Sequence, residues 1–256
     1  KLTAISMFLE SRHYLQAERL LKEMLDEPGV PPDVFLMLAG IARDQRRDAE
    51  LALSWLARIP ASSPTAVRAE GLKAQILADA GKEKEALASV RSLQQRHARN
   101  ETLLLLEVRL LARLKSMDEA LARARQAVEI VPDSWELAFT LGSLLDSLGK
   151  RDEAMKVMQG IIASHPEHYQ ALNYVGYSLA VQGKDLEQAL ELLQKADRLA
   201  PDQFFIVDSL AWALFRLGRT EEALQTIRRA VALIPSPEAE ILEHYGDIPA
   251  SAGQKE

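Results

Sequence analysis

The sequence predicts an all-α fold, an α-solenoid of tandem helix-turn-helix repeats. Three observations predict it. First, Pro132, Pro166, Pro201 and Pro235 stand 34, 35 and 34 residues apart, and Pro64 lies two such periods before Pro132. Proline cannot continue a helix interior, so a proline at this interval marks where one helical pair ends and the next begins. Second, small residues return at fixed places between the prolines. Third, the 256 residues are 48% hydrophobic but only 5% aromatic, with Ala and Leu dominant and just 12 Gly and 11 Pro. That balance favours helix over strand.

The period divides the chain into units at about 1–32, 33–66, 67–100, 101–134, 135–168, 169–203 and 204–238, with the first helix of another at 239–256. The unit at 1–32 opens inside a helix, and those before residue 100 are looser. The unit at 67–100 keeps Ala74, Gly81 and Ala86, and 101–134 keeps Ala120, Ala127 and Pro132. The unit at 135–168 carries Gly142, Gly149, Ala154 and Pro166. The clearest, 169–203, has Gly176 within its first helix and Gly183 seven residues later, where a left-handed cap favours glycine. Its second helix places Ala189 and Ala196 seven apart on one face, and Pro201 closes it. The unit at 204–238 repeats the order with Ala211, Gly218, Ala223, Ala230 and Pro235. Within 239–256, Gly246 and Gly253 keep the seven-residue spacing and Pro249 is expected to kink the helix.

The choice of residues has a packing reason. Two antiparallel helices need small side chains where they cross. Leu141, Leu145, Met158, Leu172, Leu179, Leu193, Leu210, Leu214 and Ile227 are expected to fill the space around the crossings. One hairpin cannot bury its apolar face alone, so successive hairpins must stack into a continuous core.

A period of 34 with an early small residue, a helix-ending glycine, two alanines seven apart and a terminal proline resembles the tetratricopeptide repeat. The resemblance covers essentially the whole chain and is strongest from 101 to 235. It implies a right-handed solenoid whose first helices line an inner wall and whose second helices lie outside. The pattern's large aromatic at the fourth position is mostly absent, with Leu36, Glu70, Leu104, Ala138, Leu172 and Val207 standing there.

The run NYVGYSLA, the one-residue insertion near Leu186, the run FIVDSLAWALFRLGRTEEAL and the later EHYGD are similar to the C-terminal repeats of bacterial tetratricopeptide lipoproteins of the outer membrane. Some of these resemble adaptors for carboxyl-terminal processing proteases. The resemblance implies a periplasmic adaptor that binds such a protease and its substrates, or other envelope proteins. A lipid anchor is then expected outside this sequence, which contains no cysteine. The opening KLTAISMFLESRHYL lacks a signal-peptide layout and reads as helix under way, so an excised piece of a longer protein is expected. A cytoplasmic scaffold of a regulatory or secretion complex and the helical domain of a larger enzyme are the alternatives. Self-association is also expected where an open solenoid end exposes apolar surface.

In such an array, positions 2, 5, 9, 12 and 13 of each unit share the open face of the first helix. They include Arg109 and Arg113 in 101–134, then Phe139, Ser143 and Asp146 in 135–168. They include Asn173 and Tyr177 in 169–203, and Phe205, Asp208, Trp212, Phe215 and Arg216 in 204–238. Aromatic residues and arginine are the common anchors of protein interfaces. Asn173, Tyr177, Asp208, Trp212 and Arg216 are the expected centre of a peptide- or helix-binding site, with the Asn173 amide able to hold a partner backbone. The competing reading is that Trp212 and Phe215 pack between repeats and meet no ligand. No unit has Lys followed by Asn at positions 5 and 9, so a carboxylate clamp of the chaperone-tail kind is not expected.

Chemistry is otherwise sparse. A net charge of −6 with both signs interspersed gives no phosphate-backbone footprint, so no nucleic-acid partner is expected. No apolar run approaches a membrane span. With no cysteine, disulfides and thiolate metal sites are excluded. His165 and His168 flank a turn with no third ligand in view, so no metal is expected. Glu221 and Glu222 open a second helix, where the dipole favours carboxylates. No catalytic motif or cofactor loop occurs, so neither an enzyme nor a cofactor is expected.

Overall fold

A computed structural model of the chain describes residues 1–233. The expected helix at 239–256, with Gly246, Pro249 and Gly253, lies outside the described residues. Those residues form α-helices and turns, with no strand among them. The chain divides into two compact units, Lys1–Pro132 and Asp133–Glu256. The all-α architecture of tandem helical hairpins expected from the sequence is the one observed.

The first unit holds four hairpins: α1 (Leu2–Glu10) with α2 (Tyr14–Met24), α3 (Pro32–Asp44) with α4 (Ala49–Leu56), α5 (Ala66–Asp79) with α6 (Glu83–Gln94), and α7 (Glu101–Arg113) with α8 (Met117–Ile130). The second holds three: α9 (Trp135–Ser147) with α10 (Arg151–Ser164), α11 (Tyr169–Gln182) with α12 (Leu186–Leu199), and α13 (Phe204–Arg216) with α14 (Thr220–Leu233).

Helix starts follow from local chemistry. Asn100, Ser134 and His168 precede α7, α9 and α11, and each side chain accepts the N–H of the residue three further on, at 3.1 Å. Such a cap satisfies a backbone donor that the helix cannot. The second helices α8, α10, α12 and α14 open on acids, Asp118 and Glu119, Asp152 and Glu153, Glu187, and Glu221 and Glu222, where the helix dipole favours negative charge.

The turn inside each hairpin needs one left-handed residue. Gly183 supplies it after α11 with φ 66°, and the next amide, Lys184, donates back to the Leu179 carbonyl at 3.1 Å. In the first unit Arg12, Arg47 and Lys115 take positive φ at the corresponding turns. A side chain there is strained, which is one reason the repeat reads faintly in that part of the sequence.

The crossings are as tight as the small residues imply. Ala17, Ala52, Ala86, Ala120, Ala154, Ala189 and Ala223, one in each second helix, are fully buried. A β-carbon on Gly176 would stand 2.7 Å from Leu193 Cγ and 3.1 Å from the Ala189 carbonyl. Around these points Leu141, Leu145, Met158, Leu172, Leu193, Leu210, Leu214 and Ile227 are buried, while Leu179 is half-buried against the core.

A buried acid ties α6, α7 and α8 together. Glu107 of α7, only 3% exposed, accepts from Arg91 Nε of α6 at 2.9 Å and Arg123 Nε of α8 at 2.5 Å. Gln94 accepts from Arg123 at 3.0 Å and donates to the Leu103 carbonyl at 3.0 Å. Burial is the largest influence on the Glu107 carboxyl and pushes it up, but Arg91 and Arg123 together outweigh it and leave it below the usual carboxylate range.

Candidate functional site

The second unit carries most of the residues expected to bind a partner. Its first helices α11 and α13 pack side by side. Arg216, at the last turn of α13, donates Nη1 to the Val181 carbonyl of α11 at 2.9 Å. That carbonyl belongs to a helix end with no intrahelical partner, so the guanidinium caps its neighbour. The Arg216 guanidinium carbon stands 6.0 Å from the Trp212 ring, at the limit of cation–π range. Trp212 and Phe215 have ring centroids 5.4 Å apart, tilted by 41°. Both rest on the core around Leu190, Leu193, Val207, Leu214 and Ile227, yet both stay half-buried.

Asn173 of α11 is half-buried, and its amide oxygen is shielded from solvent with no hydrogen-bond partner among the described residues. A buried acceptor left unmade costs about 1–3 kcal/mol. Tyr177, one helical turn on, is half-buried, as is Phe205. Phe205 packs edge-to-face on Phe204 at 5.8 Å and against the core at Leu172, Ala196 and Ile206.

Asp208 departs from the expectation of an open-face residue, because only 5% of it is exposed. Helices α11, α12 and α14 all pack on α13, so its position 5 is enclosed together with the adjacent Ser209. Asp208 therefore belongs to the interior and not to the presented surface.

Phe139 is half-buried with its ring 5.2 Å from His168, which also meets Trp135 at 4.6 Å. It serves the joint between α9 and α11. Asp146, on the same face of α9, accepts the Tyr174 hydroxyl at 2.8 Å. Burial first, then the Asp146 carboxylate, pushes the Tyr174 hydroxyl up to about 12. This tie was not anticipated, since nothing local in the sequence pairs residues 28 apart.

Arg109 and Arg113 lie in the first unit, on α7, where both are exposed and line a cavity of about 570 Å³. Arg113 is occupied by Asp79 and Glu83, each at 3.1 Å, and by the Ala78 carbonyl. Among the described residues no three of His, Cys, Asp or Glu gather to hold a metal ion. No helix among them is long and apolar enough to cross a membrane.

Comparison with known proteins places this geometry. Residues 139–204 and 208–237 each match a tetratricopeptide repeat model. A tetratricopeptide repeat protein from Parabacteroides merdae superposes with a TM-score of 0.63 at 18% identity, over 87% of this chain and 87% of that one. MamA from Desulfovibrio magneticus RS-1 gives 0.55 at 19% identity, over 65% of this chain and 93% of its own. A TPR repeat-containing protein of Pseudomonas aeruginosa is 28% identical over 145 residues, or 57% of this chain. The match spans 24% of that protein's length. The chain thus has the fold of tetratricopeptide solenoids, and in 139–204 and 208–237 it carries tetratricopeptide repeats by sequence as well.

Proposed function

We propose that the chain is a non-catalytic protein-binding scaffold, and within that class a periplasmic adaptor that holds a carboxyl-terminal processing protease or other envelope proteins. The observation that carries the scaffold reading is the paired face of α11 and α13. There a shielded, unmade acceptor on Asn173 stands on the same helix as half-buried Tyr177, beside a helix bearing Trp212 and Phe215. A partner that covers the aromatic rings removes apolar surface from water, and one whose docking turns the Asn173 amide outward recovers the unmade hydrogen bond. These gains mark the centre of protein interfaces. Arg216 orients the aromatic pair from its seat on Val181.

The envelope placement rests on the resemblance of residues 169–235 to outer-membrane tetratricopeptide lipoproteins. The absence of cysteine suits an oxidising compartment and a reducing one equally. The test is capture from a bacterial envelope extract with the full chain, against a Tyr177→Ala/Trp212→Ala double variant of unchanged helicity. A processing protease enriched by the native chain and lost with the variant supports the adaptor. Enrichment confined to cytoplasmic partners overturns the periplasmic assignment and leaves the scaffold. Equal capture by both proteins removes the α11–α13 face from the account.

A further inference from the structure

The cavity in the first unit has a chemistry distinct from the aromatic face of the second. Its volume of about 570 Å³ lies within the range of ligand-holding clefts and exceeds what one small ion occupies. Four arginines line it, Arg43 from the end of α3, Arg47 from the turn that follows and Arg109 and Arg113 from α7, against two carboxylates, Asp44 and Asp79. With Glu83, which pairs with Arg113 beside the cleft, four arginines meet three carboxylates, which leaves one surplus positive charge in a chain whose net charge is −6.

The surplus can be assigned to particular side chains. Arg43 Nε is 2.6 Å from Asp44 Oδ1, and its Nη1 donates to Gln75 Oε1 at 2.8 Å. Arg113 is held by Asp79, Glu83 and the Ala78 carbonyl. That last contact also neutralises the negative end of α5, which would otherwise oppose an anion. Arg47 and Arg109 are exposed and, among the described residues, enter no ion pair or side-chain hydrogen bond. Two uncommitted guanidinium forks thus face one cleft whose other two cations are already fixed.

We propose that this cleft binds an acidic polypeptide segment, with neighbouring Asp or Glu side chains of the partner taken by Arg47 and Arg109. A guanidinium presents parallel N–H donors that match a carboxylate in a two-bond pair, which suits it to this ligand better than a lysine would be. The size of the cleft argues for a stretch of several residues over a lone anion. Arg43 and Arg113, braced by their own partners, form its fixed walls. The proposal goes beyond the adaptor reading and stands on another unit of the chain. It shares with that reading only the idea of a polypeptide ligand.

The test is a fluorescence-anisotropy titration of the full chain with three labelled probes of equal length. One is a C-terminally amidated tetraglutamate peptide, one its amidated tetraglutamine counterpart, and one the tetraglutamine with a free terminal carboxylate. The amidated tetraglutamate should bind most tightly and weaken as salt rises. Arg47→Gln/Arg109→Gln should weaken it by roughly tenfold or more, with an unchanged melting curve. Arg198→Gln, in the second unit, should bind as the native chain does. Equal binding of the two amidated probes would overturn the proposal, as would tetraglutamate binding that survives the double variant. Binding of the free-carboxylate probe alone would overturn it too, by assigning the cleft to a chain terminus. No envelope partner enters this assay, so it fails or succeeds independently of the adaptor reading.

Discussion

Glu107 and His168 show how single residues hold these hairpins and how pH reaches them. Glu107 is buried between two arginines, and its carboxyl is lowered in the fold. Its contribution is therefore complete above the ordinary carboxylate range and disappears as pH falls through its lowered value. Glu107→Gln should cost about 2 kcal/mol, read as a lower urea midpoint at neutral pH, because two guanidinium groups lose their charged partner. His168 is the opposite kind of group. Burial is the main influence that lowers it, with the His165 charge adding to the effect, and its Nδ1 must stay unprotonated to accept the Ala171 N–H. Stability from His168 is present above its ordinary value of 6.5 and is lost as pH falls through the lowered folded value. Thermal melts at pH 7 and pH 5 should show a drop in the native chain that His168→Asn reduces, since asparagine caps without titrating in that window. Neither role was legible in the sequence. The partners of Glu107 stand 16 residues to either side on other helices, and His168 reads locally as an exposed turn histidine.

At the scale of the element, small residues were the most legible feature, because a helix crossing leaves them no substitute. The same exchange should nevertheless have opposite signs at two glycines. Gly176→Ala should destabilise by about 1–2 kcal/mol, because its β-carbon meets Leu193 and a backbone oxygen that cannot withdraw. Gly160→Ala, at an exposed position of α10 with nothing within 4 Å, should stabilise by about 0.5–1 kcal/mol through helix propensity alone. Denaturant midpoints of the two variants check both signs. Register counting along a helix was less dependable. It placed Tyr177, Trp212, Phe215 and Arg216 where they keep partial exposure, but it put Asp208 on the open face. The count gives the face of a helix but not how closely its neighbours, here α11, α12 and α14, pack over a given position.

Across the described residues the order of helical hairpins was readable from the sequence, while likeness to tetratricopeptide repeat models is confined to 139–204 and 208–237. The difference is physical. The second unit keeps glycine at every hairpin turn, whereas the first fills three of its four with Arg12, Arg47 and Lys115 and accepts the strain. The uncommitted arginines around the first unit's cleft could not be read from sequence either. Arg109 and Arg113 share a helix face by spacing, yet only the pairing of Arg113 with Asp79 and Glu83 reveals which of the two is available. The central claim, that this solenoid binds protein through the paired first helices of its second unit, is tested most directly by hydrogen exchange with and without the captured partner. The account predicts added protection over Tyr169–Gln182 and Phe204–Arg216. Protection confined to Leu186–Leu199 and Thr220–Leu233, with those two first helices unchanged, would contradict it.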